Sequence, residues 1–377
     1  MDRAAPRPVH FSPDAAPDAG LVTLLGDVAR AVGDVPALLE LARAAGAKAP
    51  LPGQGRTSTL WELLATVAAV DVAAARIFEP HFDALAILAQ SGVDPVDGHG
   101  EGRGKEPGQS RGAWGVFAAE GPGARLEAKA GDAGILLSGS KPWCSLASKL
   151  DSAVITAHTV TGGRAAFAVD LRHPGVTCEE PAWVARGLRE IPSGTVHFSQ
   201  VPAVPLGGDN WYFSRPGFAW GGMGVAACWL GGAVGVARDY RDSLIAAAES
   251  GREPDQIALA ALGETDRILT AAFQYLARTA ARIDAEAGAT AGTGTGGAKP
   301  ATGPSEWSEA LRVRGTAASA VERVLALVTS NRGPAPLAFD EQYAKRMADL
   351  ALYVRQHHGM RDDAQLGKLT LKEGQPW

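Results

Sequence analysis

Cysteine is scarce. The chain has three in 377 residues, Cys144, Cys178 and Cys228. They are widely spaced, odd in number and form no Cys-x-x-Cys pair, so neither a disulfide framework nor a zinc site is indicated. No metal is expected. Long apolar runs are also lacking: no stretch of 18 residues is free of breakers, and the first residues show no basic–apolar–small leader pattern. Neither a membrane span nor a secretory signal is therefore expected, and the expected compartment is the cytoplasm. Charge of one sign is not in excess either. Lys and Arg number 36 against 41 Asp and Glu, a net charge of −5, which leaves no electrostatic footprint for nucleic acid or an anionic membrane. What remains is 46% hydrophobic and 20% charged, an ordinary globular composition on a chain long enough for two or three domains.

The most informative stretch runs from Gly112 to Ser145. Trp114–Ala119 is an apolar run with aromatic and β-branched members and reads as a buried strand. Gly121-Pro122-Gly123 ends it as a turn. Ile135–Ser138 is a second strand, Gly139 allows a tight turn, and Trp143 follows beside Cys144 and Ser145. An indole face with a hydroxyl and strand-end amides nearby suits a flat, heteroatom-rich ring. From spacing alone the plainer reading of Trp143 is a core side chain.

Either side of this stretch, residues 1–20 are rich in Pro, Ala and Asp and are expected to form a mobile arm. Apolar spacing from Leu21 to Ala45 predicts one or two amphipathic helices. Thr57 or Ser58 is expected to cap a helix through Val70, and a second helix is expected to follow Pro80, with Glu79 at its start. On that helix His81 shares a face with Ala84, Leu85 and Leu88. It is either a core histidine satisfied by a carbonyl or carboxylate, or a group facing a cleft. Asp83 falls on another face and reads as solvated. The glycine-rich residues 92–111 lack the flanking strand and helix of a phosphate loop and read as a surface loop.

Short strands separated by turns fill 112–207 and predict a β-barrel or sandwich. From Pro216 on, helices are expected. The first, Trp220–Ala237, is apolar all round and therefore buried, and is too broken by glycine for a membrane span. The rest would complete an antiparallel bundle. The Gly/Thr-rich residues 288–304 are expected as a flexible linker. The domains expected are thus 1–20, 21–111, 112–207 and 208–377.

Gly139-Ser-Lys-Pro-Trp-Cys-Ser145, the strand Ala153–Ala157, Gly187-Leu-Arg189 and Ser193-Gly-Thr-Val-His-Phe198 before Val201-Pro202 together resemble the middle domain of the acyl-CoA dehydrogenase family. Arg215-Pro-Gly-Phe218 resembles the entry to that family's C-terminal bundle, and the similarity runs from about Thr57 to Gly367. The resemblance implies an α+β multidomain protein: an N-terminal helical domain, a middle β-barrel and a C-terminal antiparallel helical bundle. It implies FAD, with FMN as an alternative, held between the β domain and the bundle. Phe117, Ala118, Ala119, Trp143, Cys144 and Ser145 would meet the ring, and Arg252 and Arg332 would be stand-ins for the family's contacts to the dinucleotide tail. A homodimer or homotetramer is implied as well.

The chain departs from the family at the catalytic base. The usual glutamate follows an Arg-Asp pair by about eight positions, and counting eight from Asp349 lands on His357. The alternative location, early in the first long bundle helix, reads Trp220-Gly-Gly-Met-Gly-Val-Ala226 and holds no carboxylate. A histidine at the first place resembles the family's flavin monooxygenase branch. His357 and His81 are therefore the candidate catalytic residues, and Glu120, Arg355 and His358 the candidate substrate contacts, unless His357-His358 is simply an exposed helix end. The leading function is a flavin-dependent oxidoreductase acting on a CH–CH pair of a small acyl or acyl-like substrate, possible CoA thioesters included, with an unidentified electron acceptor. The alternatives are a two-component monooxygenase fed by a flavin reductase, and a flavin-free binding protein that keeps the fold.

Overall fold

The computed structural model describes residues 7–11, 19–93, 112–131, 134–292 and 305–372. Four helices come first: α1 (Ala19–Arg30), α2 (Val35–Gly46), α3 (Thr57–Val70) and α4 (Val72–Ser91). Asp34 caps α2 by accepting the Ala37 amide, and Asp71, the single extended residue between α3 and α4, caps α4 through Ala74. The start of α3 differs from expectation. Its cap residue is Arg56, which makes no side-chain cap bond. Asp284, far along the chain, accepts from the Gly55 and Thr57 amides and the Thr57 hydroxyl instead, placing a carboxylate at the positive end of the helix dipole.

Two further expectations are corrected here. Pro80 lies inside α4 rather than at its start, and Glu79 is therefore mid-helix and caps nothing. Having no N–H, Pro80 withholds the bond that the Arg76 carbonyl would otherwise accept. Residues 7–11 of the N-terminal arm lie against the helices: Val9 and Phe11 are buried, the Val9 amide bonds Thr66, the Phe11 amide bonds Glu62, and Arg238 holds the carbonyls of Arg7 and Pro8. Two apolar anchors and a ladder of backbone bonds offset the chain entropy lost.

Seven strands follow: β1 (Trp114–Phe117), β2 (Leu126–Gly131), β3 (Gly134–Ser145), β4 (Ser152–His158), β5 (Arg164–Asp170), β6 (Val176–Cys178) and β7 (Ser193–Leu206). They form one mixed sheet in the order β1-β4-β2-β3-β7-β5, with β6 on β7 and β4 also pairing β5. β1 runs parallel to β4, and β3 runs antiparallel to β7 with register shifts at Leu137/Gly139 and Lys141/Cys144. Gly139 is thus inside a long strand, not in a turn. Its φ of +119° and the Arg125 carbonyl that a Cβ would overlap admit only glycine there.

Among the described residues seven helices follow: α5 (Trp211–Ser214), α6 (Pro216–Glu249), α7 (Gln256–Gly292), α8 (Glu306–Arg332), α9 (Ala335–Phe339), α10 (Glu341–Tyr353) and α11 (Met360–Thr370). α6 is one uninterrupted helix. By length and composition it could cross a membrane, yet 78% of its apolar window is buried within the protein, against α3, α4, α7, α8 and α10. Small residues make this possible: a Cβ on Gly231 would overlap the Ala65 carbonyl of α3. Gly231→Ala is accordingly expected to force the two helices apart and to cost about 1–3 kcal/mol, read as a lower urea midpoint. Of the expected linker, α7 already occupies residues up to Gly292, and 293–304 lie outside the described residues, as do 94–111 of the glycine-rich loop.

Candidate active site

Where α4 packs against β1 and the end of β3, a small open cleft of about 20 Å³ remains. Arg76, Ile77 and Pro80 line it from α4, Trp114 and Phe117 from β1, and Ser145 from β3. It is apolar apart from the Arg76 guanidinium and the Ser145 hydroxyl, which face each other at 3.4 Å. Ser145 also shares a 2.7 Å hydrogen bond with Ser193 on β7, which fixes its rotamer.

Trp143 sits two residues before Ser145 and is not a core side chain. It is 62% exposed with φ +60°. The register shift between Lys141 and Cys144 explains this: a bulge breaks the alternation of faces, so Lys141 and Cys144 both turn inward while the indole is left in solvent. A large aromatic in the left-handed region and in water is costly to keep unless something covers it.

Behind the cleft lies a polar interior that the sequence reading missed. Arg76, Glu79 and Asp83 form one stripe of α4 at i, i+3 and i+7. Glu79 Oε2 is 3.4 Å from Arg76 and accepts from the Tyr353 hydroxyl at 3.3 Å. Burial pushes the Glu79 carboxyl up to about 7, against the pull of Arg76. Burial likewise raises Asp83, which Arg215 answers from 3.9 Å. Arg314 of α8 stacks 4.8 Å over Trp229 of α6 and donates to the carbonyls of Gly222 and Gln356. His357 follows the 3-10 turn Val354–Gln356 and lies edge-on to Trp229 with ring centroids 6.5 Å apart. Its Nδ1 accepts the Gly359 amide, so in the neutral ring Nε2 carries the proton. Nε2 has no hydrogen-bond partner among the described residues and lies 3.8 Å from Asp362. Burial holds the ring below its ordinary pKa, Asp362 opposing.

No protein-family model matches the sequence, and no curated protein matches it. Solved structures do. Butyryl-CoA dehydrogenase from Megasphaera elsdenii superposes with a TM-score of 0.73 at 16% identity over 95% of this chain and 100% of that one. The dibenzothiophene monooxygenase TdsC from Paenibacillus sp. A11-2, in complex with FMN and indole, gives 0.72 at 16% identity over 94% and 98%. XiaF from Streptomyces sp., in complex with FADH2 and glycerol, gives 0.70 at 20% identity over 94% of each. This chain has the acyl-CoA dehydrogenase-like fold.

Within that fold the expected site residues separate into two groups. Phe117 and Ser145 line the cleft, Trp143 lies two residues from Ser145 with its indole nitrogen by the Gly121 turn, and His357 lies in the polar interior. The others do not gather. His81 is 1% exposed, its Nδ1 accepts the Trp114 amide at 3.2 Å, and its Nε2 faces Gly46 at the end of α2. Burial lowers its pKa to about 4, so it is a neutral core histidine and does not meet His357. Cys144 donates its thiol to the Lys141 carbonyl, and burial raises its pKa, leaving it unreactive. The Ala118 carbonyl accepts from Arg164, and Ala119 is exposed. Glu120 is committed to Lys141 at 2.6 Å, Arg164 at 3.0 Å and His158 at 3.3 Å. These partners outweigh burial and hold it below the ordinary carboxylate range. Arg355 pairs with Glu322 at the surface, and His358 is exposed beside Asp362. Arg252 is in an exposed bend after α6, and Arg332 stacks 4.2 Å over Tyr343. None of these four lines the cleft.

One trio of carboxylates among the described residues has metal-like spacing, Asp71, Glu190 and Asp349. Its centre is filled: Lys345 Nζ lies 2.7, 2.8 and 2.6 Å from the three. An ammonium ties the α3–α4 junction, the loop before β7 and α10 together where an ion would otherwise sit.

Proposed function

We propose that the protein is a flavin-dependent oxidoreductase whose flavin ring lies in the cleft between β1, the end of β3 and α4. The exposed Trp143, two residues from the cleft-lining Ser145, carries the reading, and the chemistry of the lining suits a flavin ring although the cleft would have to widen to take one. Trp143 would supply an aromatic face, Phe117 and Ile77 an apolar floor, and Ser145 and Arg76 hydrogen bonds to the polar edge. The solved structures of TdsC with FMN and XiaF with FADH2 support it. A flavin bound there supplies a two-electron acceptor or donor. Fit to the dinucleotide tail of FAD is absent from Arg252 and Arg332, so FMN is expected to bind at least as tightly as FAD.

The protein's own groups supply the proton chemistry. His357 is the polar group of this proposal: on a ring that is neutral at physiological pH its Nε2–H, beside Gly315 of α8, has no protein acceptor among the described residues and can donate a hydrogen bond to the reacting group. With it the chain would oxidise a CH–CH pair of a small acyl or acyl-like substrate. The same residue favours a second reading, a two-component monooxygenase, because a histidine stands where a dehydrogenase of acyl thioesters needs a carboxylate. Substrate-linked bleaching of the flavin without oxygen supports the first. Oxygen-dependent hydroxylation only when a reductase supplies reduced flavin supports the second.

Trp143→Ala tests the cleft itself. It is expected to weaken FMN binding about tenfold, since one stacked aromatic contributes on the order of 1.4 kcal/mol. Thermal stability should be unchanged because the side chain is in water. Unaltered FMN affinity would place the ring elsewhere.

A further inference from the structure

Apart from the cleft, three side chains stand in line on the outward side of the sheet. Ser140 of β3 and His197 of β7 are direct partners in the ladder, and Thr177 of β6 pairs His197 from the other side. Ser140 Oγ is 2.8 Å from His197 Nδ1, and His197 Nε2 is 2.6 Å from Glu179 Oε1. Glu179 follows β6, and its amide donates to the Thr195 carbonyl of β7 at 3.0 Å. All three groups are thus carried by paired strands. Lys141, the neighbour of Ser140, is buried on the opposite side.

The direction of each bond follows from the donors. A carboxylate only accepts, so Nε2–H of the neutral ring donates to Glu179, and Nδ1 is left to accept the Ser140 hydroxyl. The bond from His197 holds the Glu179 carboxyl below its ordinary range, which keeps it ionised and the tautomer fixed. The row is therefore a hydroxyl, a base that can take its proton, and an acid that orients the base. Such a constellation is recognised by these roles and not by position in the chain. We propose that Ser140, His197 and Glu179 form an acyl-transfer site for small activated esters. It uses none of the residues placed around the flavin and does not depend on that reading.

In the step, Ser140 Oγ bonds to the ester carbonyl carbon and its proton passes to His197 Nδ1. The carbon–oxygen bond to the leaving group then breaks, and the alcohol departs with that proton. Water attacks the acyl-serine in the same way and releases the acid, so no oxidant or reductant is needed. The Arg125 carbonyl accepts the Ser140 amide at 2.9 Å, which brings Arg125 alongside Ser140 as a cation for the developing oxyanion. His197 and Glu179 are 43% and 53% exposed. A site this open gains little from excluding water, which is why it suits a small acyl group on a good leaving group.

The test treats the full chain with a fluorophosphonate probe, which labels activated serines, and follows hydrolysis of p-nitrophenyl acetate. Peptide mapping is expected to find the phosphonyl group on Ser140. Ser140→Ala and His197→Gln are each expected to lower hydrolysis about a hundredfold, and the double variant no further, since the groups act as a unit. Glu179→Ala is expected to lose less. Label spread over other serines, or hydrolysis unchanged in Ser140→Ala, overturns the site. Labelling of the wild type decides the matter if a variant folds poorly. A protein that binds flavin but does not label at Ser140 overturns this inference alone, and one that labels without binding flavin leaves it standing.

Discussion

Replacing Lys345 by methionine is expected to cost the fold about 3–5 kcal/mol, enough to leave much of the protein unfolded at ambient temperature. Lys345 is the only cation in contact with Asp71, Glu190 and Asp349 together among the described residues, and Asp71 and Asp349 are almost wholly buried. The carboxylates are not free to turn away. Asp71 caps α4, and Asp349 accepts the Leu188 amide from the loop before β7. Without the ammonium, three negative charges share one dry site. Burial alone would lower the pKa of Lys345, but Asp71 and Asp349 outweigh it and hold it above the ordinary value. Its contribution is therefore complete below about pH 10.5 and is lost as the pH climbs through the raised folded value. The variant should behave in the opposite sense at the acid side. Burial already raises the Asp349 pKa and the variant removes the ammonium that opposes that rise, so protonation of Asp349 relieves the site and the urea midpoint should recover as the pH falls toward about 5. A Lys345→Met midpoint equal to wild type at neutral pH would mean that the cluster is already neutralised by other means.

His357→Gln is expected to lower turnover by about 10²–10⁴-fold, the usual worth of a positioned acid–base group. Glutamine keeps the length of the side chain beside Trp229 and Gly315, so the fold and the flavin spectrum should survive. The pH profile separates a proton-moving role from a packing one. The ring's pKa is lowered by burial, so the neutral ring with its Nε2–H donor is present at physiological pH and gains charge only as the pH falls below about 6.5. Wild-type turnover should decline on that acid limb, and the residual rate of His357→Gln should not. Full retained activity would remove His357 from the chemistry.

Much of the architecture was legible because burial leaves a periodic trace. The strands and the buried helix after Phe218 were visible as apolar runs bounded by glycine and proline, and Ser145 and Phe117 were found from the motif around Trp143. What escaped had specific causes. Spacing alone makes Trp143 a core side chain, while the resemblance makes it a ring contact; its exposure comes from a bulge, which is silent in a single sequence. Glu79 and Asp83 were dismissed because Pro80 was taken as a helix start. Had Asp71-Val-Ala-Ala been read as the cap, Arg76, Glu79 and Asp83 would have fallen on one stripe facing α6. His81 does share the apolar stripe, but that stripe faces α2 and β1, and periodicity does not say which partner a face meets. The docking of residues 7–11 and the capping of α3 by Asp284 depend on contacts from 51 to 231 residues apart, for which local sequence carries no signal.

The most direct measurement is a titration of the purified protein with FMN and FAD, followed by the visible flavin spectrum and by tryptophan fluorescence. A ring stacked in the cleft should show perturbed flavin bands and quench the exposed Trp143, with the quenched component missing in Trp143→Ala. A protein that perturbs neither flavin's spectrum and keeps its full tryptophan emission would contradict a flavin site in this cleft and leave the fold serving a different function.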